Sequence, residues 1–101
     1  MANKGYEFEE RLEDLLDGLK RTAKSGGHWD NADLANEFTL VEAKVKSLDN
    51  FRAPKGELTK LKNQAEKHGK DWVYIQKNDS GEYALLDLRF FITLWNLLGV
   101  K

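Results

Sequence analysis

The chain contains no cysteine, one proline, one methionine and two histidines in 101 residues. Without cysteine there is no disulfide framework, no thiolate metal site and no thiol nucleophile, which fits a reducing compartment. Two histidines, His28 and His68, are too few for a histidine-rich metal centre. His28 reads as a plain loop residue, and His68 closes a helix, where a cation suits the dipole. No apolar run approaches the ~18 residues of a membrane span. The opening MANKGYEFEE lacks the apolar stretch of a signal peptide, so a cytoplasmic protein is expected, cellular or virus-encoded and acting in a host cytoplasm. There is also no excess of one charge, the net value being −1.

What is present is globular in composition: 41% hydrophobic, 33% charged, with three tryptophans to anchor a core. The length suits one domain, residues 1–101. Charge is unevenly distributed. Residues 1–19 carry two bases against six acids, whereas residues 20–70 carry eleven bases against seven acids.

Hydrophobic periodicity outlines the elements. Phe8, Leu12, Leu15, Leu16 and Leu19 recur at helical spacing over Tyr6–Leu19. A glycine-containing loop covers Ala23–Asn31. Asp33–Ala35 and Phe38–Lys46 form a hairpin turning at Asn36–Glu37, and Ser47–Lys55 is a loop holding Pro54. A helix spans Gly56–His68, stopped by Gly69. WVYIQK from Trp72 is a buried strand, Asn78–Gly81 a turn, Tyr83–Leu88 a strand and Phe90–Leu98 a last helix. The order α-β-β-α-β-β-α predicts an α/β fold, a mixed sheet of about four strands flanked by helices. The connection across the second helix suits a crossover between parallel strands.

Side chains alternate across a strand, so Phe38, Leu40, Glu42 and Lys44 share one face and Thr39, Val41, Ala43 and Val45 the other. Glu42 and Lys44 then stand roughly 6–7 Å apart. The hairpin returns Asp33 to the same end, and its neighbour Asp30 is the weaker rival because Asp33 leads directly into the strand. Two adjacent carboxylates repel unless a cation intervenes. Hard divalent ions accept oxygen ligands, and Mg²⁺ takes one or two carboxylates plus phosphate and water. Lys44 beside them would hold the attacking water or offset charge in the transition state, a composition suited to phosphodiester hydrolysis. A surface ion pair is the plainer reading of Glu-x-Lys alone.

Lys20, Arg21, Lys24, Lys46, Arg52, Lys55 and Lys60 flank this constellation and would form a phosphate-contacting, DNA-binding rim. Trp29 and Phe51 are candidates for stacking on bases, although core packing is the commoner fate of an aromatic. The run FFITLWNLL is apolar nearly all round, which predicts burial in a partner and hence a homodimer through Phe90–Leu98.

The ordered motifs resemble the PD-(D/E)xK nuclease superfamily, and within it the archaeal-type Holliday-junction resolvases. KGYEFEERLEDLL is similar to the opening helix of those enzymes, D…E-x-K to their hairpin, KSGG to their serine loop and NQAEKHGK to their following helix. The resemblance runs from Lys4 to Lys77. It implies a restriction-endonuclease-like fold and a Mg²⁺- or Mn²⁺-dependent endonuclease cutting branched DNA. It further implies that Glu9, with Glu10 as alternative, joins Asp33 and Glu42 around one or two metal ions, and that Ser25 and Gln64 assist. Departures are Ala32 in place of the proline, a short hairpin and a slightly acidic net charge. A branched-DNA or nicking nuclease of the VRR type, and a catalytically inert nucleic-acid-binding module of the same fold, are the alternatives.

Overall fold

The computed structural model describes residues 4–22 and 32–99. Helix α1 covers Lys4–Leu15 and buries Phe8 and Leu12, one turn apart. It is shorter than the Tyr6–Leu19 periodicity suggests, because Gly18 adopts φ +81°, a left-handed conformation incompatible with a continuing helix. Leu15 and Leu16 are consequently exposed, while the turn brings Leu19 back into the core.

The chain then forms a strand absent from the sequence reading, β1 (Lys20–Arg21), which pairs antiparallel with β2 (Leu34–Ala35). Strand β2 pairs antiparallel with β3 (Thr39–Val45). The turn between them is an Asx turn: Asn36 Oδ1 accepts the backbone N–H of Phe38 and of Thr39, each at 2.8 Å. Phe38 falls in this turn, before the strand, and is 67% exposed, so it does not share the buried Leu40 face.

Helix α2 (Lys55–His68) follows directly after Pro54 and ends at Gly69 in the left-handed region, φ +64°. It carries the chain over to β4 (Asp71–Asn78), which lies parallel to β3 with Glu42 level with Tyr74 and Lys44 with Gln76. Asn78 Oδ1 accepts the N–H groups of Ser80 and Gly81, closing the expected turn into the antiparallel strand β5 (Gly81–Leu86). Helix α3 (Leu88–Leu97) begins with Asp87 accepting the Arg89 N–H.

Among the described residues the sheet therefore has five strands in the order β1-β2-β3-β4-β5, one more than expected, with helices packed over it. Two apolar clusters lie on its two faces. Phe8 and Leu12 of α1 pack with Leu34, Val41, Ala43 and Ile75. Leu61 and Ala65 of α2 pack with Leu40 and Tyr74. The period-two alternation of β3 thus sends odd-numbered residues to α1 and even-numbered ones to α2. No helix among the described residues is long and apolar enough to cross a membrane.

Candidate active site

The β2–β3 register pairs Leu34 with Val41, both on the α1 face. Asp33 stands one residue ahead of β2, where the regular pairing ends. Asp33 is only 5% exposed. A carboxylate so buried must be hydrogen-bonded, and its Oδ2 accepts the Ala43 N–H at 2.9 Å. Ala43 is the residue between Glu42 and Lys44, so the bond ties the start of the hairpin to that segment of β3.

Lys44 projects from the α2 face of β3. Its Nζ lies 3.4 Å from Glu42 Oε2 and 3.7 Å from Glu57 Oε1. Partial burial opposes the ammonium charge, but attraction to Glu42, Glu57 and Asp33 outweighs it and raises the Lys44 pKa above the ordinary lysine value.

Glu57 comes from the first turn of α2, where the dipole favours a negative charge. Its Oε2 receives Lys46 Nζ at 2.9 Å and the Tyr74 hydroxyl at 3.2 Å. Burial disfavours the Glu57 charge, yet these bonds and the nearby Lys44 prevail and lower its pKa below the usual glutamate value. Burial raises the pKa of the Tyr74 hydroxyl, which therefore stays a donor at neutral pH.

The helix stripe that continues from Glu57 carries Leu61 and Gln64. Gln64 is 8% exposed, and it lines a small cavity of about 130 Å³ with Glu42, Lys44, Glu57, Lys60 and Leu61. Lys44 and Lys46 also border a second, larger cleft of about 790 Å³ on the α1 side, where Lys4, Arg11 and Lys77 outnumber Glu7 and Asp79.

Glu42, Lys44 and Gln64 thus line one cavity, and Asp33 lies near enough for its charge to act on Lys44. Glu9 is half-buried on α1, the helix of the Val41–Ala43 face, and Glu10 on the same helix is exposed. Among the described residues no three acidic or imidazole side chains stand together in a group able to hold a metal ion. Ser25, Lys24, His28, Trp29 and Asp30 lie outside the described residues.

Of the expected rim, Lys60 borders the small cavity and Lys46 is held by Glu57. Lys55 is exposed at the start of α2 and Lys20 on β1. Arg21 is engaged with α1: its backbone N–H reaches Glu13 at 2.8 Å and its guanidinium sits 4.5 Å from the centre of the Tyr6 ring. The Arg52 side chain is exposed, while its backbone is clasped by buried Gln76. Phe51 packs edge-on against Tyr74 and Tyr83, a core role instead of a stacking platform.

Glu57 and Tyr74 were not among the expected site residues. The signal for Glu57 was available, since it precedes Leu61 by four and Gln64 by seven, one stripe of a helix.

Neither a family model nor a curated protein sequence matches the chain. Among solved structures, it is similar to that of Hjc, a Holliday junction resolvase from the archaeal hyperthermophile Archaeoglobus fulgidus. The TM-score is 0.61 at 20% identity, over 79% of this chain and 73% of that one. The fold is accordingly the restriction-endonuclease-like arrangement of a mixed sheet between helices, as the motif order implies.

Proposed function

We propose that the protein is a metal-dependent endodeoxyribonuclease that hydrolyses phosphodiester bonds and resolves Holliday junctions as a homodimer. The observation that carries this reading is that Lys44 Nζ lies 3.4 Å from Glu42, while Asp33 accepts the N–H of Ala43 between them. The likeness in fold to a junction resolvase supports it.

The donor set fits a hard ion. Asp33 and Glu42 offer carboxylate oxygens alone, the ligands that Mg²⁺ and Mn²⁺ prefer, and one or two such groups suffice when phosphate and water complete the shell. When bound, the ion supplies Lewis acidity and lowers the pKa of its water. Glu9, or Glu10 in its place, completes the ligand set with Asp33 and Glu42 in this reading.

Lys44 is aimed at the charge that builds on the phosphate oxygens, where a preformed cation in a partly buried site acts most strongly. Gln64, beside it in the small cavity, orients phosphate or water, and Ser25 is assigned the same task. Lys46, Lys55 and Lys60 contact flanking backbone phosphates, with Lys20, Arg21, Lys24 and Arg52 as the wider rim. Helix α3 supplies the dimer contact, so that two sites related by a two-fold axis can cut two strands of a junction.

The test is cleavage of labelled four-way junctions, duplexes and flaps in Mg²⁺, with Glu42→Gln and Lys44→Met as controls. Symmetric paired cuts in the junction are expected from the unaltered protein. Cuts confined to flaps or nicked duplexes favour the VRR-type alternative. An inert nucleic-acid-binding module of the same fold is the other alternative. That reading expects no heat on Mn²⁺ titration and no cleavage of any substrate.

A further inference from the structure

We infer that Glu57 is a positioning residue for Lys44, holding its ammonium group beside Glu42. The inference rests on the nuclease reading above and extends it to a side chain that the motif pattern does not include.

A lysine ammonium is a point charge on a flexible four-carbon stem with about 2 kcal/mol of rotamer entropy. One partner does not fix where it sits. Lys44 lies between two carboxylates on different elements, Glu42 on β3 at 3.4 Å and Glu57 on α2 at 3.7 Å. Glu42 is assigned another duty in the proposed chemistry, as a metal ligand. Glu57 is the partner that can keep Lys44 in place while Glu42 performs it.

Glu57 is itself restrained from two sides. Its Oε2 is bonded by Lys46 at 2.9 Å and by Tyr74 at 3.2 Å, leaving Oε1 as the oxygen that faces Lys44. The Tyr74 ring is wholly buried and braced by Phe51, so its hydroxyl is a fixed point. Helix α2 is anchored by Leu61 and Ala65 in the same cluster. The path from core to ammonium is therefore short and rigid, through Tyr74, Glu57 and Lys44.

The experiment is a pair of double-mutant cycles on junction cleavage, Glu57→Gln with Lys44→Ala and Glu57→Gln with Lys46→Met, plus Glu57→Asp and melting curves. Glu57→Gln retains acceptor oxygen for Tyr74 and Lys46, so it is expected to melt near the unaltered protein. Its kcat should fall about ten- to a hundredfold, the cost of misplacing a catalytic group by an ångström, with KM and Mn²⁺ affinity changed little. Glu57→Asp should recover part of that loss. In the Lys44→Ala background, Glu57→Gln should add nothing to the defect. Unaltered kcat in Glu57→Gln, or additive losses with Lys44→Ala, would overturn the assignment while leaving the nuclease reading standing. Non-additivity with Lys46→Met instead would move the role to Lys46 and overturn it for Lys44. No cleavage by the unaltered protein would remove both the nuclease reading and this role.

Discussion

Asp33 accepts the backbone N–H of Ala43 at 2.9 Å, so the acid just ahead of β2 grips the peptide between Glu42 and Lys44. The bond needs an oxygen, not a charge. Asp33→Asn is therefore expected to melt close to the unaltered protein while cleavage drops by about a hundredfold or more, as for other losses of preorganised site electrostatics. Asp33→Ala leaves that N–H without its partner and should destabilise the fold by about 1–3 kcal/mol. Melting and cleavage measured on both variants separate the two roles; an Asn variant that cuts like the parent would remove Asp33 from the chemistry.

Lys44→Met takes away the cation between Glu42 and Glu57 and leaves two carboxylates facing one another. The expected result is a loss of cleavage of roughly 10²–10³-fold, with junction affinity changed only a few-fold because other lysines supply most phosphate contacts. Single-turnover rates and gel-shift titrations check this. A variant that loses binding and rate together would mark Lys44 as a general DNA contact.

Buried Gln76 acts as a strap on the loop ahead of α2. Its Oε1 accepts the Arg52 N–H at 3.1 Å and the Asn78 side-chain amide at 3.1 Å, while its Nε2 donates to the Arg52 carbonyl at 2.6 Å. Gln76→Leu strands these groups at about 1–3 kcal/mol each where they remain dry. A clear fall in melting temperature is expected, together with faster hydrogen exchange at the Arg52 amide. Unchanged exchange there would mean that the loop is held by Phe51 packing alone.

The parts of this fold legible in the sequence are those with a local physical cause. The alternation in Thr39–Val45 assigns Leu40, Glu42 and Lys44 to one face because strand periodicity allows nothing else. Gly69 stops α2 and Asn36 builds the hairpin turn through their own backbone and side-chain chemistry. Strand β1 has no such signature. Two residues carry no period, and Lys20–Arg21 is a strand only because β2 offers an edge to pair with. Glu57 was missed for a related reason: an acid in a first helical turn already has a local explanation in the dipole. Its contacts with Lys44, Lys46 and Tyr74 arise from the β3–β4 register and the seating of α2, which one-dimensional pattern does not contain.

Arg11 of α1 is paired bidentately with Glu82 of β5, across the α1 face of the sheet. The hydrogen bonds from Arg11, more than the desolvation that opposes them, hold the Glu82 carboxyl below its ordinary pKa of 4.5. A carboxylate depressed in the folded state adds stability that is present above its unfolded pKa and is lost as pH falls through the folded value. Glu82→Gln should therefore lower the melting temperature slightly at pH 7 and have no effect near pH 3. The pair is solvent-exposed, so the difference at pH 7 should also shrink in 1 M salt, where screening acts within ~3 Å. Melting curves of the two proteins at both pH values and both salt concentrations provide the check. A gap that widens in acid would contradict the pairing.

Helix α3 buries none of its ten residues, yet Phe91, Ile92, Leu94, Trp95 and Leu97 all lie on it. Trp95 is 46% exposed and Leu97 78%. Apolar area of this kind yields about 25 cal/mol per Å² when covered, and a contiguous exposed patch is a marker of association. In the proposed homodimer the same helix of a second copy covers it. Phe91→Ser with Trp95→Ser removes two rings that pack 6.0 Å apart and leaves the Asp87 cap intact. Sedimentation velocity should show the unaltered protein as a dimer and this variant as a monomer with near-native helix content. Because Glu42 and Lys44 belong to β3 and Asp33 to the residue ahead of β2, and none to α3, the monomer should still nick one strand of a junction while losing the paired cut. A variant that remains dimeric would place the contact elsewhere. One that loses nicking as well would show that α3 reaches the site.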